Sequence, residues 1–392
     1  MSTFAACYSH LTFIIRRSIE PASVQNLAMN ANELQAYVYK PLPTPAWIRL
    51  VRLLPASDPQ APLECRIILV DKDLSSIMRS ALVKYSAMSY VWGSAAFTHD
   101  LFVAEIHEDR YYILKITPAV DELLRRFRSS ESKVNFWIDG ICLDQSNETE
   151  KAEQIPRMGQ IYNGAFKTRV WLGPDGDGIK EALQILEMFA EFEAATEWET
   201  KAEDFLRAIR NQATEKFSLA LNQFFERRWF SRRWVLQELA LSRVALVYCG
   251  PYKIAWPVML AAMRVLGHLI RLGALSGSPL LSQQAERAIM TTMNLPSGRR
   301  MILDNLWDFH HTECSDPRDA VRALIGFSHA GTTSSSLITI GSQASRNGKA
   351  ELFYEVARLF VEKGQLSHVF HHALVFGPIS NDWVKHPSWL PN

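Results

Sequence analysis

No excess of charge marks the 392-residue chain: 42 Lys and Arg stand against 41 Asp and Glu, a formal net charge of +1. Without a global field there is no long-range attraction to nucleic acid, an anionic membrane or an acidic substrate. Cysteine is scarce too. Cys7, Cys65, Cys142, Cys249 and Cys314 are odd in number, widely spaced and without a CxxC pair, which excludes a disulfide scaffold and fits a reduced compartment. No stretch approaches the ~20 apolar residues of a membrane helix. The mostly apolar run Leu11 to Ile15 is stopped by Arg16 and Arg17, with no secretory cleavage pattern after it. Internal repeats, low-complexity tracts and a nucleotide-triphosphate loop are all missing. These absences describe a cytoplasmic protein that engages neither nucleic acid nor membrane and chooses its partners by local features.

The chain has 48% apolar and 11% aromatic residues, ample for a core and suited to one large domain or two intimate ones. Residues 1–43 lack periodicity and end in the proline cluster Pro41, Pro43 and Pro45, so they read as a disordered leader. A weaker presequence reading rests on Arg16 and Arg17 with Glu20 as the single acid of the first 30 residues. From Trp47, strands are expected at 48–53, 65–70 and 87–91, and a hairpin over 101–116 turning at His107 to Arg110. Thr117-Pro118 supplies an N-cap and a first-turn proline, with Val120, Leu123, Leu124 and Phe127 forming one buried helical face. Further strands fall at 134–138 and 168–172, with a helical stripe through Ile155, Met158, Ile161 and Tyr162 between them. This alternation argues for an α/β fold, a mostly parallel sheet flanked by helices. After residue 178 the pattern is largely helical, at 179–195, 200–226, 232–242 and on through 349–363, broken by a strand at 245–249. Thr332 to Asn347, rich in serine and threonine, reads as a loop.

Four blocks carry a family resemblance. They are Tyr85 to Gly93 (YSAMSYVWG), Phe136 to Gln145 (FWIDGICLDQ), Gln154 through Met158-Gly159-Gln160-Ile161-Tyr162 to Gly173, and Arg233 to Glu238 (RWVLQE). In this order and spacing they resemble the heterokaryon incompatibility (HET) domain of fungi. The resemblance implies a HET domain over 44–250, with core motifs at 85–239, followed by a helical region at 251–392. Asp316-Pro317-Arg318-Asp319 and the terminal Pro387-Ser388-Trp389-Leu390-Pro391 resemble segments that follow the domain in longer members. Gly140 and Leu143-Asp144 depart from the usual residues, and Pro156 should kink its helix.

The resemblance further implies a role in self/non-self recognition and programmed cell death. Expected partners are proteins: a homo-oligomer or an incompatibility sensor. HET domains are also distantly similar to Toll/interleukin-receptor (TIR) domains, and Ser231 to Leu239 resembles the plant TIR segment whose glutamate serves NAD cleavage. The alternative is therefore an NAD nucleosidase, with NAD as substrate and Glu238 as key carboxylate. A carboxylate beneath the ribose stabilises an oxocarbenium-like cation, and nicotinamide already leaves as a good leaving group. On a helix Trp234 and Glu238 are i and i+4, which equally suits a Glu238 paired with a neighbouring arginine and a Trp234 that fills the core. Trp92 or Trp234 would stack a ring and Arg233 would meet phosphate. Asp139 with Gly140, at a strand's carboxyl end, suits a ribose or phosphate contact or a turn cap, and Trp92-Gly93 a ligand-facing turn or a packed strand end.

Several other constellations read as structural. Asp144, Glu148, Glu150 and Glu153 suit a helix N-terminus better than a cation. Arg227, Arg228, Arg232 and Arg233 interleave with Phe224, Phe225, Trp229, Phe230 and Trp234, a superficial nucleic-acid pattern that the charge balance argues against. His310-His311-Thr312-Glu313-Cys314 lacks the spacing of a zinc site, and no metal is expected.

Overall fold

The computed structural model describes residues 34–71, 83–105, 110–195, 197–210, 215–275, 281–295, 300–329 and 349–362, with positions 364, 367 and 369. The expectations for residues 1–33, for the hairpin turn at 107–109, for the loop 332–347 and for the terminal segment 387–391 lie outside the described residues.

Nine strands among the described residues form one sheet: β1 (Trp47–Leu53), β2 (Leu63–Asp71), β3 (Ser86–Tyr90), β4 (His99–Ala104), β5 (Tyr111–Ile116), β6 (Val134–Trp137), β7 (Lys167–Trp171), β8 (Ala245–Cys249) and β9 (Tyr252–Ala255). Their order is β5-β4-β2-β1-β6-β3-β7-β8-β9. The central four, β6, β3, β7 and β8, run parallel. β1 is antiparallel to both its neighbours, and β5 and β9 are antiparallel edges. All five residues of β3 are buried, as a central strand covered on both faces requires.

Connectivity gives β3 its importance. The chain leaves it through the β4–β5 hairpin and α1 (Pro118–Phe127), then returns on one side as β6. It next passes through α2 (Asp139–Cys142), α3 (Glu148–Gln154) and α4 (Met158–Gly164) and comes back on the other side as β7. β3 is thus a topological switch point, where the crossovers part and leave a crevice beyond the carboxyl ends of the strands.

The local signals act as expected. Thr117 caps α1 by accepting the Val120 N–H, and Val120, Leu123, Leu124 and Phe127 are buried. Pro156 cannot donate to a helical ladder, and there the chain tightens into a 3-10 turn at Ile155–Arg157 between α3 and α4. Asn147 caps α3 through the Glu150 N–H at 3.1 Å. Glu150 itself turns inward, where its carboxylate grips the Arg49 guanidinium at 2.5 and 2.9 Å and accepts the Asp144 N–H. That pair ties β1 to α3, and the Asp144 bond adds the loop before it.

Helices α5 (Ile179–Glu193), α6 (Trp198–Arg210), α7 (Glu215–Phe225), α8 (Trp234–Ala240), α9 (Trp256–Arg271) and α10 (Gln283–Met293) follow. Of the expected helix at 200–226, α6 and α7 are the described parts, and residues 211–214 lie outside the described residues. Val170, Leu186, Phe189, Phe224, Met259 and Leu266 share one core, and α9 lies along α5. Another cluster joins Leu236 of α8 to α11 (Ile302–Asp308), α12 (Asp319–Ile325) and α13 (Lys349–Glu362). Residues beyond 250 therefore pack directly against those before it.

One boundary differs from the sequence reading of a leader ending at 43. Tyr37 donates to the Ile113 carbonyl, and Ile113 to that of Gln35, at 2.8 and 2.9 Å. Tyr39 lies beneath the Arg49 guanidinium and donates to the Ile141 carbonyl. Ordered chain thus begins before the proline cluster, because the open edge of β5 offers backbone partners and the two tyrosines have a place to pack.

Candidate functional site

At the carboxyl end of β3 the backbone delivers Ser89 and Tyr90 between the ends of β6 and β7. Gly93, at φ 68°, then turns the chain away in a conformation that favours glycine. α8 crosses this end and directs Glu238 inward, where it is 2% exposed. The Ser89 hydroxyl donates to Glu238 Oε2 and accepts the indole N–H of Trp229 at 2.8 Å. The Tyr162 hydroxyl donates to the Met88 carbonyl at 2.9 Å and also bonds with the Glu238 carboxyl. Its bond to Glu238 favours the ionised carboxylate, as the Ser89 bond does.

Burial is the largest influence on Glu238 and raises its pKa to about 7; the Arg232 charge and the Ser89 bond oppose the rise, and Asp139 adds to it. Asp139 opens α2. Burial raises its pKa as well, against the pull of Arg232 and of hydrogen bonds from Trp92, Tyr90 and the Gly140 N–H. The Trp92 indole N–H donates to Asp139 Oδ2 at 2.8 Å, and Gln145 donates to the Asp139 carbonyl at 2.9 Å. Arg232 donates to the Tyr90 carbonyl between these groups. Two carboxyl groups thus share the influence of one guanidinium, and near neutral pH the pair holds a proton that an isolated glutamate would have released.

Gly140 is a steric requirement. A Cβ there would lie 2.8 Å from the Tyr90 hydroxyl, so any larger residue would push Tyr90 off Asp139.

The residues expected at the site divide into two groups. Trp92, Gly93, Asp139, Gly140 and Glu238 come together at the switch point. Arg233 and Trp234 face the C-terminal region instead. The Arg233 guanidinium, 3% exposed, donates to the Phe309 carbonyl at 2.6 Å and to Thr312 Oγ1 at 3.1 Å. Trp234 donates to Asp319 Oδ2 at 2.9 Å. Phe224, Phe225, Trp229 and Phe230 are core residues, and Arg227 donates to the Leu172 and Pro174 carbonyls, so the aromatics of the run are interior packing.

Ser89, Tyr162, Trp229 and Arg232 complete the cluster, although the sequence reading gave none of them a role at this site. The available clue was Ser89, a hydroxyl in a strand buried on both faces, which must find a partner. Its partner lies 149 residues away, and no local pattern shows that.

Residues 85–238 match the family described as heterokaryon incompatibility protein (HET). The chain is similar to heterokaryon incompatibility protein 6, OR allele, of Neurospora crassa, 31% identical over 270 residues. The match covers 62% of this chain and 38% of that relative, so the chain spans well under half of the relative's length. No solved structure matches the chain.

The raised pKa of Glu238 has a direction in stability. The folded protein keeps a proton that the unfolded chain releases between about pH 4.5 and about pH 7. Stability therefore falls as pH rises through that window, and the full penalty stands above it. Glu238→Gln, which carries no charge, should flatten this fall by up to about 3 kcal/mol between pH 5 and pH 8, read from urea midpoints. Identical pH dependence in the two proteins would contradict it.

Proposed function

We propose that this chain, whose residues 85–238 match the heterokaryon incompatibility family, acts in fungal incompatibility as a non-self recognition module that signals programmed cell death. In this reading it is switched by self-association or by an incompatibility sensor protein. The observation that carries the reading is the convergence of all four signature blocks on one polar cluster: Ser89 and Trp92 from the first, Asp139 from the second, Tyr162 from the third and Glu238 from the fourth. No helix among the described residues is long and apolar enough to cross a membrane.

Expression in a fungal host tests it. Wild-type chain should arrest growth and form higher-order species in light scattering, and Glu238→Ala should abolish both while remaining expressed. Normal growth alongside folded, monomeric wild-type protein would refute the reading.

A second reading, cleavage of NAD, is favoured by one observation: a carboxyl with a pKa near 7 at the carboxyl end of parallel strands, the profile of a group tuned for chemistry. The C1′–nitrogen bond of the nicotinamide riboside would break, nicotinamide would leave with the bonding electrons, and water would supply the new C1′ hydroxyl and a proton. Glu238, sealed at 2% exposure, would have to be uncovered first, which gives assembly a second purpose. Concentrated wild-type protein should then release nicotinamide in a chromatographic assay, with at least ~100-fold less from Glu238→Ala. Equal release from both proteins, or none from an assembled wild type, would exclude this chemistry.

A further inference from the structure

A separate cleft of about 360 Å³ opens between the 3-10 turn at Arg228–Ser231, the first two turns of α10 and the loop 309–313. Neither Glu238 nor Asp139 lines it. Phe225 and Phe230 form its inner wall and are fully buried. Its rim is polar, with Arg287 and Gln283 on α10 facing Ser231, His311 and Glu313.

The rim groups are poised for a ligand of mixed character. No described carboxylate pairs with the Arg287 guanidinium. The Thr291 hydroxyl donates to the Arg287 carbonyl at 2.6 Å, so its oxygen is left to accept from His311 Nε2, 2.5 Å away. That fixes the proton of the neutral ring on Nε2 and leaves Nδ1 a bare acceptor, which must take up a proton to donate to an anion. Burial and the charges of His310, Arg287 and Arg233 hold the His311 pKa below its ordinary value, and an anion placed between Arg287 and His311 would offset that repulsion. Glu313 accepts one hydrogen bond from Ser231 Oγ at 3.1 Å, which leaves most of its acceptor capacity for hydroxyl donors.

We propose that this cleft binds a phosphorylated sugar, its phosphate against Arg287 and His311 and its vicinal hydroxyls on Glu313. An inorganic anion would use only half of this arrangement and would be repelled by Glu313. The inference stands apart from the incompatibility reading and from Glu238.

Calorimetric titration of the full chain with ribose 5-phosphate, inorganic phosphate and ribose tests it. Ribose 5-phosphate should bind more tightly than either part. Arg287→Ala should weaken it by roughly tenfold or more, the loss of a charge-assisted contact. Glu313→Gln should weaken ribose 5-phosphate and leave inorganic phosphate unchanged or tighter. Arg287 is an exposed residue, so its variant should melt at the wild-type temperature. Absence of ribose 5-phosphate binding, equal binding of inorganic phosphate, or full affinity in a folded Arg287→Ala protein would each overturn the proposal.

Discussion

Burial of the Glu238 carboxyl is the constraint on which the rest of the site depends. An ionised carboxylate withdrawn from water loses far more than any single hydrogen bond returns. The group therefore keeps its proton toward neutral pH, and its surroundings supply what solvent would have given. Ser89 donates to it, Trp229 supports Ser89, Tyr162 bonds it from α4, and Arg232 contributes charge from nearby. Each of these groups comes from a different element, so the carboxyl is a meeting point for β3, α4, the 3-10 turn and α8. Asp139 joins through its charge and through Arg232, which extends the network to the end of β6.

A seven-residue helix cannot hold a charged group in place by its own stability, and α8 is braced from outside the matched family region. Loop 309–313 runs beside its approach: the Arg233 N–H donates to the Glu313 carbonyl at 2.8 Å, and the Glu313 N–H donates to that of Ser231 at 2.7 Å. Below that strap Arg233 is enclosed. Farther along, Gln237 accepts the Gly326 N–H at 3.0 Å. A Cβ at Gly159 would come within 2.6 Å of the Leu241 side chain and 3.3 Å of the Gly326 Cα, so α4 packs backbone to backbone against the end of α12 and directly against the side chain that follows α8. In this chain the segment 300–329 is part of the scaffold that positions Glu238.

Much of this arrangement was legible in sequence, for identifiable reasons. The α1 cap, its buried face, the β4–β5 hairpin and the parallel strands follow from local chemistry and periodicity, and the structure has them. The break at Pro156 follows from a missing N–H. Glu238, marked by family resemblance, and Asp139, Gly140 and Trp92, marked by their places at strand ends, do gather at one place. What was not legible depends on distant pairing. Trp234 and Arg233 sit on the right segment, but their polar atoms are engaged by Asp319, Phe309 and Thr312, partners more than 75 residues away. Arg232, one residue earlier, carries the charge that reaches both carboxyl groups. Helix periodicity places side chains on faces; it does not say which later element will cover each face.

Infrared difference spectroscopy of wild-type protein against Glu238→Gln, followed across pH, reads the state of this carboxyl directly. A protonated carboxylic acid band present at pH 6 and lost with a midpoint near pH 7 is the predicted result, since burial raises the Glu238 pKa to about 7. A midpoint at the ordinary glutamate value, or no band assignable to Glu238, would mean that the carboxyl is solvated and charged, and the account built on its burial would fail.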